Sequence, residues 1–305
     1  MNPSGTEPLI RVSGLNKQYG NFALKDVSIT VEPGEIVGFV GANGAGKTTT
    51  IKSILGLVPP DSGDGRILGV PIRDMGGPAG VAVKERVGTV FDAVGLPPSM
   101  HVRDAAAVMP RCFAHWDASL FDCLLGKAGI APDRTVAELS RGMGMKLSLA
   151  IALSHDPRLL ILDEATAGLD PMARDGILDT LRGFVSAGED GGGPRGILMS
   201  SHITGDLERI ADRVVCIDAG RIVFDRPKDE ITDLMGIARC RAADVATIRG
   251  SGAYDPGSLR MIRGQYGTNV AVPDRFAFAE AFPDIPCDRM TLDDCMRFEL
   301  KGEKL

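Results

Sequence analysis

The octapeptide GANGAGKT at residues 41–48 constrains the fold of this chain more than any other feature. It fits the pattern GxxxxGK[ST] in full, and it follows the apolar run IVGFV at residues 36–40. Glycines let backbone N–H groups converge on phosphate oxygens, and the N-terminus of a helix favours the same anion. A strand before this loop and a helical pattern after it predict a phosphate-binding loop in an α/β fold rather than a chance glycine turn.

Two side chains of this loop have the chemistry to act on a bound triphosphate. Lys47 is expected to reach the β- and γ-phosphates, and Thr48 is expected to place its hydroxyl on Mg²⁺. The predicted nucleotide-binding residues of the loop are Gly41, Ala42, Asn43, Gly44, Ala45, Gly46, Lys47, Thr48 and Thr49.

A second motif, LLILDE at residues 159–164, supplies carboxylates. Its four apolar residues predict a buried strand, and the acids stand at the C-terminal end, where open α/β sheets bind ligands. Asp163 is expected to hold Mg²⁺ through water, and Glu164 is expected to orient or deprotonate the attacking water. The alternative is that the two acids only cap the next helix.

A third motif, LSRGM at residues 139–143, comes shortly before LLILDE. Ser140 is a natural N-cap for a helix whose apolar residues recur at helical spacing. A serine N-cap followed closely by Gly142 forms a second candidate anion site. Alone this signal is weak, because many helices begin in this way, and its position before LLILDE gives it value.

Together with a GLD segment at residues 168–170 and a histidine after an apolar run at 196–199, these motifs resemble the nucleotide-binding subunits of ATP-binding cassette (ABC) transporters. The resemblance covers roughly residues 9–225. It implies an ATP hydrolase with ATP and Mg²⁺ as cofactors. By this resemblance Tyr19 stacks on adenine, Asp170 touches an opposite subunit, and His202 contacts the γ-phosphate. The catalytic residues that it implies are Lys47, Glu164 and His202.

The expected fold is an α/β P-loop NTPase with a RecA-like parallel-sheet core, an antiparallel β subdomain, an α-helical subdomain and a small C-terminal appendage. Continuous apolar runs that alternate with helical patterns support the parallel sheet. We expect an ATP-binding domain at residues 8–236, with its helical subdomain at about 93–156, and an appendage of mixed type at 237–305. The glycine-rich tract at 188–195 is expected to be a surface loop, since no Lys-Thr follows it.

The resemblance also implies partners. In this family two nucleotide-binding subunits meet head to tail, so Ser140 and Gly142 would serve the nucleotide of the partner, which is either a second copy or a related subunit. The tracts FAHWD (113–117) and TLDDCMRFELKGE (291–303) resemble bacterial export-type members whose permease is a separate transmembrane chain. This implies a peripheral protein on the cytoplasmic face of the cell membrane, with a groove for the permease formed by residues from 92 to about 134.

Composition limits other functions. The net charge is -6, from 34 basic and 40 acidic residues, which argues against a nucleic-acid partner. No run reaches the roughly 18–20 apolar residues of a membrane span, and the N-terminal segment lacks the pattern of a secretory signal. None of the six cysteines forms a CxxC pair, so reduced and mostly buried thiols are expected.

Several positions depart from the usual family pattern. Arg141 and Met143 replace Gly and Gln in the signature motif, and Ala165 replaces the proline after Glu164. Asp92 replaces a glutamine in the loop after an apolar run at residues 87–91, here called the lid loop. An aspartate accepts hydrogen bonds but cannot donate them. It could still reach Mg²⁺ through a bridging water, so Asp92 is a candidate metal ligand, and the alternative is a simple turn residue.

Two other functions remain as alternatives. One is a soluble ABC ATPase that acts on the ribosome or DNA, which the single P-loop, the lack of a heptad run and the acidic charge disfavour. The other is a weakly active regulatory half of a heterodimer. The intact catalytic residues argue against it, whereas Asp92 and Ala165 leave it open.

Overall fold

The computed structural model describes residues 7–188, 193–265 and 267–305; residues 189–192 of the predicted glycine-rich loop lie outside these ranges. The strands are β1 (Ile10–Tyr19), β2 (Phe22–Val31), β3 (Ile36–Val40), β4 (Ser62–Ile67), β5 (Val70–Pro71), β6 (Val87–Val90), β7 (Leu159–Asp163), β8 (Gly196–Ser201), β9 (Arg213–Asp218), β10 (Arg221–Pro227), β11 (Gly236–Cys240), β12 (Arg260–Gly264), β13 (Gly267–Val272), β14 (Cys287–Arg289) and β15 (Glu303–Lys304). The α-helices are α1 (Lys47–Ile54), α2 (Pro78–Lys84), α3 (Val102–Cys112), α4 (Ala118–Ala128), α5 (Arg141–Leu153), α6 (Pro171–Ala187), α7 (Thr204–Ile210), α8 (Ala242–Ser251), α9 (Arg275–Ala281) and α10 (Leu292–Lys301).

The central sheet has six strands in the order β10-β9-β3-β8-β7-β6. Five of them run parallel, and β10 joins β9 as an antiparallel hairpin. Every residue of β3, β7 and β8 is buried, as expected for parallel strands covered on both faces. The predicted parallel core is therefore confirmed. Because β3, β8 and β7 are neighbours, the loops at their C-terminal ends meet at one edge of the sheet.

The N-terminal sheet is antiparallel, with the order β2-β1-β4-β5. The pairing of β1 with β2 has two irregularities, which interrupt the alternation of buried and exposed residues along β1. Arg213 of β9 fastens this sheet to the core, since its guanidinium donates to the carbonyl of Thr30 and pairs with Glu35 and Asp225. The two carboxylates keep the pKa of Arg213 above its ordinary value despite the opposing effect of burial.

Helices α3, α4 and α5 form a layer with its own buried cluster, composed of Val102, Phe121, Leu125, Ile130, Leu147 and Ala150. All three helices fall within residues 93–156. Pro110 lies inside α3, which ends two residues later. A proline near the last turn of a helix removes only one intrahelical hydrogen bond, so it does not prevent the helix from continuing to Cys112.

The C-terminal segment has more regular structure than its sequence predicts. From Gly236 it follows the order β11-α8-β12-β13-α9-β14, and its antiparallel sheet has the order β14-β11-β13-β12-β15. This is the βαββαβ arrangement of ferredoxin-like folds. Helix α10 connects the sheet to the core, because Leu292 N donates to Glu208 of α7 at 2.6 Å and Glu299 lies 3.1 Å from Arg226 of β10.

The six cysteines differ in exposure. Cys216, Cys240 and Cys295 are buried, Cys287 is half-buried, and Cys112 and Cys123 are exposed. The expectation of mostly buried thiols therefore holds for half of them. Burial raises the pKa of Cys216 and of Cys295 to about 12, which keeps these two as unreactive thiols.

Candidate functional site

The loop between β3 and α1 is shaped by glycines that no larger residue could replace. Gly46 has a φ of 121°, and a Cβ atom there would lie 2.7 Å from Leu24 Cδ2. A Cβ atom at Gly41 would lie 2.3 Å from the carbonyl oxygen of Ile217. The backbone therefore approaches the neighbouring strands too closely for side chains, and this tight path brings the loop to the N-terminus of α1, where backbone N–H groups are available to an anion.

A cleft of about 370 Å³ lies over this loop. It is lined by Phe22, Ala42, Asn43, Gly44, Gly46, Lys47, Thr48, Thr49 and Glu164. Tyr19, which the resemblance assigns to adenine, is 44% exposed at the end of β1 and pairs with Phe22 across the hairpin. Phe22 is the aromatic residue that lines the cleft. Sequence reasoning missed it, although its place opposite Tyr19 in a hairpin was a usable signal.

Lys47 is the cation in the floor of the cleft, and it is only 5% exposed. Its Nζ donates to the carbonyl of Gly41 at 2.7 Å and lies 3.1 Å from Glu164 Oε1. A buried ammonium needs such partners. Because the side chain is flexible and its charge is compact, Lys47 can exchange these oxygens for those of a phosphate.

Asp163 ends β7 beside the phosphate-binding loop. Its Oδ2 accepts a hydrogen bond from Thr48 Oγ1 at 2.7 Å, and its Oδ1 accepts one from Ser200 Oγ at 2.5 Å. Ser200 is directly opposite Asp163 in the pairing of β7 with β8. The sequence alone indicates no role for Ser200, because the pairing of two distant strands is not visible in a single sequence. The structure thus brings the two predicted metal-binding residues Thr48 and Asp163 into contact.

Glu164 has an unusual backbone conformation for a non-glycine residue, with a φ of 57°. The backbone N–H of Glu164 donates to both the carbonyl oxygen and Oγ of Ser200, and the nitrogen lies 3.2 Å from each. A left-handed conformation costs free energy and persists only where the surroundings enforce it. Here it turns the carboxylate back into the cleft, where Oε1 meets Lys47 and Oε2 lies 2.5 Å from His202 Nδ1.

The charge state of Glu164 follows from these contacts. Burial by itself would raise its pKa, but the hydrogen bonds to His202 and Lys47 outweigh burial and hold the pKa of this carboxyl below its ordinary value. Glu164 is therefore ionised at neutral pH. The three predicted catalytic residues, Lys47, Glu164 and His202, form one continuous polar chain in the structure.

The other predicted binding residues lie elsewhere. Ser140 Oγ caps α5 by accepting a hydrogen bond from Met143 N at 3.2 Å, and Asp170 Oδ1 caps α6 by accepting one from Ala173 N at 2.9 Å. A Cβ atom at Gly142 would lie 3.4 Å from the Ala173 side chain, so the two helix starts are packed together. Ser140, Gly142 and Asp170 are not among the residues that line the cleft.

Asp92, the third candidate metal residue, contacts the signature motif. Its carboxylate forms an ion pair with Arg141 at the start of α5. Asp92 does not line the cleft either. The two departures from the family pattern that carry charge are therefore partners of each other.

A second cavity, of about 290 Å³, lies between the edge of the central sheet and the helical layer. We call it the coupling cavity; it is lined by Leu55, Leu57, Lys84, Val87, Thr89, Phe91, Phe113, Ile151, Ala152 and His155. The His155 ring stacks on Phe113 with centroids 4.2 Å apart, and its Nδ1–H donates to the Glu85 carbonyl at 2.9 Å. Burial lowers the pKa of His155 below 6.5, although the hydrogen bond to Glu85 opposes this shift.

This lowered pKa predicts a pH dependence of stability. The unfolded chain binds a proton at His155 near pH 6.5, whereas the folded chain binds it only at lower pH. Acidification from pH 6.5 towards the folded pKa should therefore lower the free energy of unfolding, and the effect of this group should vanish above pH 6.5. His155→Phe keeps the ring stack and should reduce this slope.

The measurement is the urea midpoint of unfolding between about pH 5.5 and 7.5. Glu164, whose pKa is lowered, loses its contribution only as pH falls below the range of ordinary carboxylates, so it does not interfere in this window. His115→Gln, which changes an exposed histidine, should keep the wild-type slope. An unchanged slope in His155→Phe would show that the histidine is not the group responsible.

Comparison with known proteins supports the assignment of the cleft. The family described as ABC transporter matches residues 24–167. The Nod factor export ATP-binding protein I of Rhizobium etli is 34% identical over 277 residues, which cover 88% of this chain and 81% of that protein. The protein of the same name from Burkholderia pseudomallei is 38% identical over 217 residues, covering 69% of this chain and 68% of that protein.

Solved structures agree. One described as the ATP binding subunit of an ABC transporter is similar with a TM-score of 0.65 and 28% identity, over 73% of this chain and 91% of that chain. CbiO1 from Clostridium perfringens, described as part of the ABC transporter complex CbiONQ, has a TM-score of 0.60 and 26% identity, over 74% of this chain and 91% of that chain. The chain therefore belongs to the ABC transporter family, as an ATP-binding subunit that hydrolyses ATP.

Proposed function

We propose that this chain drives an exporter whose permease is a separate transmembrane protein, and that two copies of the chain close on ATP to do so. The observation that carries the proposal is the polar chain Lys47–Glu164–His202 in the floor of a phosphate-binding cleft. The export direction rests on the similar proteins, which are named Nod factor export ATP-binding proteins.

The residues beside the phosphate-binding loop fit Mg²⁺. This cation prefers oxygen ligands and keeps several of its waters, and Thr48 and Asp163 present a hydroxyl and a carboxylate to the same place. Ser200 fixes the other carboxylate oxygen, which orients Asp163. When bound, Mg²⁺ would offset the charge of the triphosphate. We propose that Thr48 holds it directly and Asp163 through water.

The same residues suggest how hydrolysis is controlled. Lys47 and His202 both lower the basicity of Glu164 through their contacts with its carboxylate. When ATP binds, its phosphates compete for Lys47, so Glu164 loses one of the two groups that depress its pKa. We propose that Glu164 then takes a proton from the attacking water, while His202 contacts the γ-phosphate and holds Glu164 in place.

The dimer is proposed to be head to tail, with a second copy as the partner. Ser140, Gly142 and Asp170 lie outside the cleft of their own chain, which suits residues that serve the ATP of a partner. Met172, two residues after Asp170, is 81% exposed. Methionine is one of the residue types that are enriched at protein interfaces.

We propose the coupling cavity as the site where the permease docks. Its lining is largely apolar, it includes Phe91 next to Asp92 in the lid loop, and one wall is the helical layer. No helix within the described ranges is both long and apolar enough to span a bilayer. We propose that this contact holds the chain in a peripheral position on the cytoplasmic face of the membrane. We further propose that residues 8–236 form the ATP-binding domain and that residues 237–305, which include most of the ferredoxin-like sheet, form the appendage.

The test is to purify the tagged chain from membranes of its native host, to identify by mass spectrometry any co-purifying protein with transmembrane helices, and to measure ATP turnover. Leu57 lines the coupling cavity and is 57% exposed, so Leu57→Asp should release the permease without unfolding the chain and should keep turnover. Phe276→Asp changes an exposed apolar residue of α9, outside both the cavity and the predicted groove, and should keep both.

Capture of the same permease by Leu57→Asp would refute the docking site. Absence of any transmembrane partner would refute a transport role and favour a soluble ATPase. A chain that binds ATP and its permease but shows no turnover would be the regulatory half of a heterodimer.

A further inference from the structure

Two charged residues that depart from the family pattern form an ion pair. Arg141 is the first residue of α5, and its guanidinium pairs with the carboxylate of Asp92 in the lid loop. The Arg141 side chain is 48% exposed and the Asp92 side chain 63%. Ion pairs between groups this exposed contribute little to stability. A contribution to folding therefore does not account for the pair.

The position of Arg141 indicates a functional role for the ion pair. Arg141 stands between Ser140 and Gly142, the two residues proposed above to face the ATP of the partner. Its side chain also lies over the GLD segment, because a Cβ atom at Gly168 would be 3.2 Å from Arg141 Nε. The guanidinium is thus at the surface where a partner's nucleotide would arrive, and Asp92 holds it to one side.

A triphosphate competes strongly for a guanidinium. The planar fork of N–H donors binds two phosphate oxygens at once, and several negative charges at short range attract it more than one carboxylate does. Releasing Asp92 costs little, because a carboxylate that is 63% exposed stays hydrated. Arg141 can therefore exchange one anion for the other.

We propose that Arg141 binds the phosphates of the ATP held by the partner subunit, and that Asp92 restrains Arg141 until that ATP arrives. This rests on the head-to-tail dimer of the proposed function. Arg141 is then a nucleotide-binding residue supplied by the opposite subunit, and Asp92 acts on the nucleotide only through it. Since Phe91 lines the coupling cavity, a permease that docks there can tighten or loosen the hold of Asp92 on Arg141.

The proposal makes opposite predictions for the two members of the pair. In full-length Glu164→Gln, which should hydrolyse ATP slowly enough for a dimer to accumulate, sedimentation velocity gives the Mg²⁺-ATP concentration for half-maximal dimerisation. Arg141→Gln should raise that concentration about tenfold, because a charge-assisted contact is lost. Asp92→Asn should lower it about threefold, because a weak competitor is removed.

Two further variants test the order of action. Asp92→Asn with Arg141→Gln should match Arg141→Gln alone to within about twofold, since Asp92 has nothing left to restrain. Arg141→Lys should fall between wild type and Arg141→Gln, because it keeps the charge but loses the fork. Binding of ATP to the single subunit, measured by calorimetry at protein concentrations below dimerisation, should not change in any of them.

The matched control is the pair Arg103–Asp133, which is also exposed and lies outside the signature motif. Arg103→Gln and Asp133→Asn should both leave dimerisation unchanged. If Asp92→Asn and Arg141→Gln both weaken the dimer, the pair is only structural and the proposal is overturned. If Arg141→Gln needs the same Mg²⁺-ATP concentration for half-maximal dimerisation as its Glu164→Gln parent, this inference is overturned and the proposed dimer still stands. If the Glu164→Gln parent forms no dimer with ATP, both this inference and the proposed dimer are overturned.

Discussion

Replacing Glu164 by glutamine is expected to lower steady-state ATP turnover by about 10²–10⁴-fold, the usual effect of removing a general base. The amide has nearly the same shape, and its oxygen can still accept the hydrogen bond that His202 now makes to Oε2. It cannot take a proton from water. ATP should therefore bind as before, and the closed dimer should persist because its release requires hydrolysis.

The measurement is phosphate release by the purified chain, together with calorimetric binding of Mg²⁺-ATP. Glu280→Gln, which removes an exposed carboxylate in α9, should keep wild-type turnover and binding. The same assay on the wild type should show activity falling on acidification, since a base with a lowered pKa is protonated only in acid. Turnover within about twofold of wild type in Glu164→Gln would remove Glu164 from the chemistry.

The parts of this site that the sequence predicts are those whose signals are local. IVGFV corresponds to β3 residue for residue, and LLIL forms all of β7 except its last residue, Asp163, because continuous apolar runs mark strands buried on both faces. The acids at the end of β7 and the glycines after β3 follow directly in the chain. Their meeting in one cleft follows from the parallel order of neighbouring strands.

The parts that escaped prediction depend on side chains that are distant in sequence. Ser200 acquires its role only when β7 and β8 are paired in register. Asp92 and Arg141 are 49 positions apart, and in the sequence each is an isolated departure from a family pattern. No local propensity indicates that a carboxylate in a loop and a guanidinium at the start of a helix meet, so the sequence alone offers Asp92 only as a candidate Mg²⁺ ligand or a turn residue.

The C-terminal appendage shows a different limit. Its strands β14 and β15 have three and two residues, and helix α9 has seven. Elements this short carry too few repeats of an apolar pattern to separate a strand from a turn. Its fold is specified by packing instead, because a cluster around Phe278 covers one face of the sheet and α10 joins it to α7.

Lys47→Ala is expected to abolish useful ATP binding. Lys47 is only 5% exposed, so its contact with a phosphate is a charge-assisted hydrogen bond in a sheltered site, for which loss costs about 2–3 kcal/mol or about 10²-fold in affinity. The readout is the stabilisation of the folded chain by Mg²⁺-ATP. At a concentration of about 100 times the wild-type Kd this is about 2.7 kcal/mol, and a 10²-fold weaker Kd reduces it to about 0.4 kcal/mol.

Lys52→Ala is the matched control, because Lys52 is an exposed lysine of the same helix. The Lys52→Ala chain should keep the full stabilisation by Mg²⁺-ATP. Lys47→Ala should also change the chain without ATP, since Glu164 loses the ion pair that helps to lower its pKa, and its carboxyl should then titrate at higher pH. A Lys47→Ala chain that ATP still stabilises like wild type would place the phosphates away from Lys47. The cleft over residues 41–48 would then not be where ATP binds.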